Sequence, residues 1–237
     1  MKKFITAAAL LAASGALASA ATTTVDLVSL ASDNIAGLNA GNTSQYDITL
    51  SGQTANSVAT TIEADDVAEY LDTTTGAYYG TGTMIQATTY GYAPTIDTTV
   101  SPATFSVDLA LRNNYYGTWA ALVVAVSDIL AENTSATIDD LTTVAYTYTI
   151  SGGTLTAWLI TDGEATQLTL SSTSGSIDVS DATEDSTIVF LYSTSGSATT
   201  GTLTATATIP EPSAFGLLAG VGALALVAAR RRRTRKA

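Results

Sequence analysis

Thr104-Phe105-Ser106-Val107-Asp108-Leu109-Ala110-Leu111 decides how the body of this chain is read. Phe105, Val107, Leu109 and Leu111 fall on one side of an extended backbone, and Ser106, Asp108 and Ala110 on the other. A period of two is the mark of a strand with one buried face. The same alternation returns further along. Val144, Tyr146, Tyr148 and Ile150 stand opposite Thr147 and Thr149, and Leu203, Ala205, Ala207 and Ile209 stand opposite Thr202, Thr204, Thr206 and Thr208. Threonine on the outer face is β-prone without adding charge. Ser151-Gly152-Gly153 separates the run ending at Ile150 from the one over 155–160, which predicts a hairpin with a short glycine loop.

Working outward, further strands are expected at 23–30, 46–50, 119–127, 167–170, 176–179 and 186–192. Nine or ten strands at this spacing predict an all-β fold, an antiparallel β-sandwich or Greek-key domain. Helix is scarce: a turn or two over 63–71, and another over 127–132 with Ser127 as its cap. The Gly- and Tyr-rich stretch 76–101 reads as a long loop or an edge hairpin.

The two ends are of a different composition. Met1-Lys2-Lys3 precedes an apolar or small run to Ala18-Ser19-Ala20, whose small side chains at Ala18 and Ala20 fit a signal peptidase cut after Ala20. Residues 1–20 are therefore read as a signal peptide and 21–209 as the exterior domain. Residues 214–229 carry no charge and no hydrogen-bonding side chain, and Arg230-Arg231-Arg232-Arg233 follows. As a helix this stretch spans about 24 Å, somewhat short of a bilayer core of about 30 Å, a difference that arginine snorkelling and local thinning absorb. The arginines then act as a cytoplasmic stop-transfer cluster, with everything before Pro210 outside.

Between domain and apolar segment stands Pro210-Glu211-Pro212, holding two of the chain's four prolines. Proline cannot continue a strand ladder, so the β domain must end here in an extended, accessible segment. Pro-Glu-Pro, an apolar helix and a basic tail in this order resemble the PEP-CTERM sorting signal, over about the last ninth of the chain. The resemblance implies recognition of Pro210, Glu211 and Pro212 by an exosortase, a membrane-embedded transpeptidase-like enzyme. It also implies an envelope with an outer membrane, and company with exopolysaccharide export. The expected path is a single-pass inner-membrane intermediate with a periplasmic exterior domain, then the cell surface or exterior. Other anchors do not fit: a lipoprotein needs a cysteine to acylate, and the chain has none.

Residues 21–209 hold 20 of the 21 acidic residues against one cation, Arg112, for a net charge near −19. Nucleic acid, which is bound by clustered Lys and Arg, is excluded as a partner. Without His or Cys anywhere, Ser-His-Asp and Cys-His catalysis and the usual zinc sites are excluded as well. Lysine is missing from 21–209, which removes Schiff-base and Ser-Lys mechanisms. Carboxylate-only glycoside hydrolysis remains, with Asp108 and Asp128 no better candidates than the other acids. Acidic groups at Glu63, Asp65, Asp66 and Glu69, at Asp139-Asp140, and at Asp181, Glu184 and Asp185 lack the calcium-loop spacing, so no metal or cofactor is assigned.

Aromatic and polar groups mix most densely in the segment holding Arg112, Tyr115, Tyr116 and Trp119, the candidate glycan contact. The plainer reading is that its tyrosines cover the end of a sheet while Arg112 pairs with a carboxylate. The sequence thus predicts an exported structural or adhesive surface protein without catalytic activity. A module binding exopolysaccharide, or a carboxylate-dependent glycosidase, is the alternative.

Overall fold

The computed structural model describes residues 22–32, 64–74, 83–88, 94–109, 119–193 and 199–210. Eleven strands and three short α-helices lie among them. In chain order they are β1 (Thr22–Asp26), α1 (Leu27–Leu30), α2 (Ala64–Leu71), β2 (Met84–Thr88), β3 (Thr95–Asp97), β4 (Thr104–Leu109) and β5 (Trp119–Ala125). Then come α3 (Val126–Ala131), β6 (Thr143–Ser151), β7 (Thr154–Thr161), β8 (Glu164–Leu168), β9 (Ser174–Asp178), β10 (Thr187–Ser193) and β11 (Thr199–Pro210).

One sheet runs β3-β4-β11-β6-β9, with β1 also paired to β11; the other runs β2-β5-β10-β7-β8. Each neighbour along these two paths is antiparallel. Only β3–β4 and β7–β8 pair with their successor in sequence; each other step along the chain changes sheet. From β4 to β11 this is the connectivity of a jelly roll, two Greek keys wound into a double sheet.

The inward faces supply one core. Phe105, Val107, Leu109, Val144, Tyr146, Ile177, Leu203, Ala205, Ala207 and Ile209 come from the first sheet, and Ala120, Leu122, Val124, Ala157, Leu159, Ile188, Phe190 and Tyr192 from the second. The Tyr192 hydroxyl crosses that core to donate to the carbonyl oxygens of Thr202 at 2.7 Å and Thr149 at 3.3 Å. Burial pushes its pKa above that of an ordinary tyrosine, with the neighbouring Tyr148 adding to the effect, so it remains a donor. The second sheet is buried on its other face too, where Trp119, Ala121, Val123, Trp158, Ile160, Val189 and Leu191 pack with Val67 and Leu71 of α2. Two-sided burial explains why β5 reads as the unbroken run Trp-Ala-Ala-Leu-Val-Val-Ala, without alternation.

Several local expectations are corrected. Ser151-Gly152-Gly153 is no hairpin: β6 and β7 lie in different sheets, and the turn carries the chain across the sandwich. Gly152 and Gly153 both take positive φ, 72° and 67°, and a Cβ on Gly153 would stand 2.2 Å from the Ser193 carbonyl oxygen. The tight hairpin is at Asp162-Gly163, φ 54° and 78°, between the paired Thr161 and Glu164. Two successive residues at positive φ are what a two-residue loop between twisted strands requires.

The strand expected over 23–30 stops at Asp26, whose Oδ1 accepts from the Val28 and Ser29 amides and turns the chain into α1. The helix expected from Ser127 starts instead at Val126, whose amide donates to the Ser186 carbonyl, so Ser127 caps nothing. Stretch 76–101 contributes β2 and β3 to the outer edges of different sheets, so it is not a single hairpin. Expected strand 46–50 lies outside the described residues.

Short acidic turns close several connections. The Asp97 carboxylate accepts from the Thr99 hydroxyl and amide, Asp178 from those of Ser180, and Asp140 from the amide and hydroxyl of Thr137. These bonds favour the ionised form and hold all three carboxyls below the usual aspartate pKa. A depressed carboxyl pKa stabilises the fold above the unfolded-state value, and that contribution is lost as pH falls through the folded-state value.

Three outcomes are expected. Gly163→Ala, where a Cβ meets open space, costs backbone strain of about 1–2 kcal/mol in urea unfolding. Gly153→Ala adds a backbone clash to that strain and costs about 3 kcal/mol or more. Thr137→Ala removes the hydroxyl donor but leaves the amide, so NMR titration of the Asp140 carboxyl moves part of the way back up toward an ordinary midpoint.

Candidate functional site

β11 is the strand from which the C-terminal segment leaves. It pairs with β4 over Thr199–Leu203 and with β6 over Thr200–Ala207, which puts it in the interior of its sheet. Along its final turns Ala205, Ala207 and Ile209 point into the core and are 1%, 0% and 0% exposed, while Thr208 and Pro210 face solvent. Val25 of β1 belongs to the same core. Burial of the Ile209 side chain is worth about 2 kcal/mol. Pro210 is the last residue of the strand and has no amide to continue a ladder.

Other elements of the predicted tail lie outside the described residues: Glu211, Pro212, the apolar segment 214–229 and Arg230, Arg231, Arg232 and Arg233. Ala18 and Ala20 of the signal cleavage site lie outside them as well. Among the described residues no helix is long and apolar enough to cross a membrane.

The aromatic candidate divides. Trp119 is fully buried in the layer between the second sheet and α2, so its ring is not offered to a glycan. The sequence places it next to a polar loop, but in β5 it is the first residue of a strand buried on both faces. Arg112, Tyr115 and Tyr116 lie outside the described residues.

The two carboxylates named for hydrolysis sit on different elements. Asp108 is exposed on the outward face of β4, opposite Thr200 of β11. Asp128, in the first turn of α3, accepts the Thr83 amide at 2.7 Å and lines a cleft of about 530 Å³ together with Asp26 and Glu132. Asp26 is used in the fold, with one oxygen on the α1 amides and the other on the Ala103 amide. Sequence reading passed over Asp26, since a lone aspartate at the end of an apolar alternation gives no sign that the chain will turn there. Among the described residues no group of three or more acidic side chains is arranged to hold a metal ion.

Comparison with known families adds to this geometry. The family model of the PEP-CTERM protein-sorting motif matches residues 208–233. Among curated proteins, none matches the chain. The match begins at Thr208, two residues before the end of β11, and runs through Pro210-Glu211-Pro212 and the apolar segment into the arginines. The chain therefore carries a PEP-CTERM protein-sorting motif that begins within its last described strand, the mark of a protein directed to the cell envelope for processing by an exosortase.

Proposed function

We propose that this is a non-catalytic surface protein of structural or adhesive type, in which the jelly roll is the delivered part and the tail is the delivery device. The observation that carries the reading is the seam: a sorting motif begins within the strand that completes the sandwich, leaving no further domain between them. In this reading a signal peptidase cuts after Ala20, one residue before β1 begins. The apolar segment 214–229 then holds an inner-membrane intermediate with the sandwich periplasmic and Arg230 to Arg233 cytoplasmic. An exosortase recognises Pro210, Glu211 and Pro212, and the sandwich passes to the surface or the exterior, among exopolysaccharide.

The strong negative charge of residues 21–209 keeps such a domain soluble and separate from its own copies. A role in glycan binding would rest on Arg112, Tyr115 and Tyr116, since Trp119 belongs to the core. Glycosidase chemistry would need a pair of facing carboxylates within about 5 to 10 Å. Asp108 and Asp128, on separate elements, are not the pair to test first.

Fractionation and intact mass from the native host test the delivery reading. Wild type is expected to lose Arg230 to Arg233 and to leave the inner membrane. Glu211→Ala removes a charged group from the recognition sequence and is expected to lower the processed fraction about tenfold or more. Equal retention of the arginines in both would leave an ordinary membrane-anchored domain.

A further inference from the structure

The sorting motif and the fold overlap. The match starts at Thr208, while β11 extends to Pro210, so Thr208, Ile209 and Pro210 belong to both. Ile209 has no exposed surface, and its side chain lies in the core between the sheets. Peptidases commonly take a substrate in extended form, pairing it as an added strand. The ladders with β4 and β6 end at Leu203 and Ala207, so it is the buried side chain of Ile209, with β1 as a further partner of β11, that keeps this end from being drawn out for such pairing.

Resting on the delivery reading above, we infer that the folded sandwich sets the N-terminal limit of processing: the tail is cut on the C-terminal side of Pro210, and the product keeps Ile209 in its core. To grip Thr208 and Ile209, the enzyme would have to peel the end of β11 and draw a buried isoleucine into water. The burial assigned above to Ile209 makes the peeled form about thirtyfold rarer than the closed one. On the other side, Glu211, Pro212 and Ser213 span at most about 10 Å before the apolar segment begins at Ala214. The cut thus falls in the few residues between the closed domain and the apolar segment of the sequence.

In the step itself one peptide C–N bond breaks. The carbonyl carbon passes to a water or amine nucleophile, and the nucleophile's proton ends on the nitrogen that leaves with the tail. The acyl part is the sandwich ending at or after Pro210, and β11 loses no residue.

Intact mass of the mature protein from its host reads the C-terminal residue. Pro210 or a later residue is expected; an end at Ile209 or earlier overturns the inference while leaving the delivery reading intact. A mature protein that retains all its arginines overturns both. Hydrogen exchange on the full-length, unprocessed protein gives a readout independent of cutting. Peptides covering Thr208 and Ile209 are expected to be protected as those over Leu203–Ala207 are, and exchange at the rate of an unstructured chain overturns the proposed limit.

Discussion

The first sheet depends on its last strand. With β11 absent, the order β3-β4-β11-β6-β9 falls into two separate pairs, β3–β4 and β6–β9, and β1 loses its partner. Leu203, Ala205, Ala207 and Ile209 would leave the middle of the core at the same time. Tyr192 of the second sheet depends on the same strand, since the Thr202 carbonyl takes its shorter hydrogen bond. Gly201 leaves the room for that ring: a Cβ there would stand 2.7 Å from Tyr192 Cε1 and 2.6 Å from the Thr149 carbonyl oxygen. The sandwich is closed by the last of its described strands, and the pairings that close it join residues far apart in sequence, a topology associated with slow folding.

This dependence connects fold to delivery. A chain whose final core strand runs directly into its sorting motif completes its packing only when the stretch just before the tail is in place. A C-terminal segment attached through a long linker would have no such relation to the core. Here three residues are shared, and what is done to the tail takes place at the border of the packed domain.

Alternation made β4, β6 and β11 legible from the sequence, because each has one buried face and a row of Thr, Ser or Asp on the other. Sheet membership was not legible. Gly152-Gly153 has the composition of a hairpin loop, and the same two positive φ values serve a crossing between sheets; which of the two forms is decided by the partners available to β6 and β7, and these are β11 and β10, at paired positions 27 or more residues away. Asp26 gave no local signal either, because a cap and an outward strand residue look alike until the chain turns. At the tail the reading succeeded because its signals are chemical and contiguous: a proline that cannot pair, an uncharged run and a cluster of arginines. Trp119 misled for the opposite reason. The residues before it in sequence are mostly polar, while the neighbours that bury it belong to α2, β7 and β10.

The interior position of β11 also has a mechanical side. In the delivery reading proposed above the tail is an anchor, and a pull directed along the axis of β11 would reach the sandwich at the C-terminal end of that strand. Its ladders with β4 and β6 lie parallel to that pull, so their hydrogen bonds bear the load together in shear and do not open one after another like a zipper. Forced unfolding is governed by the barrier, and a strand gripped on two flanks presents a higher one than an edge strand peeled from a sheet. The same placement that closes the core thus makes the tether end of the domain its load-bearing end.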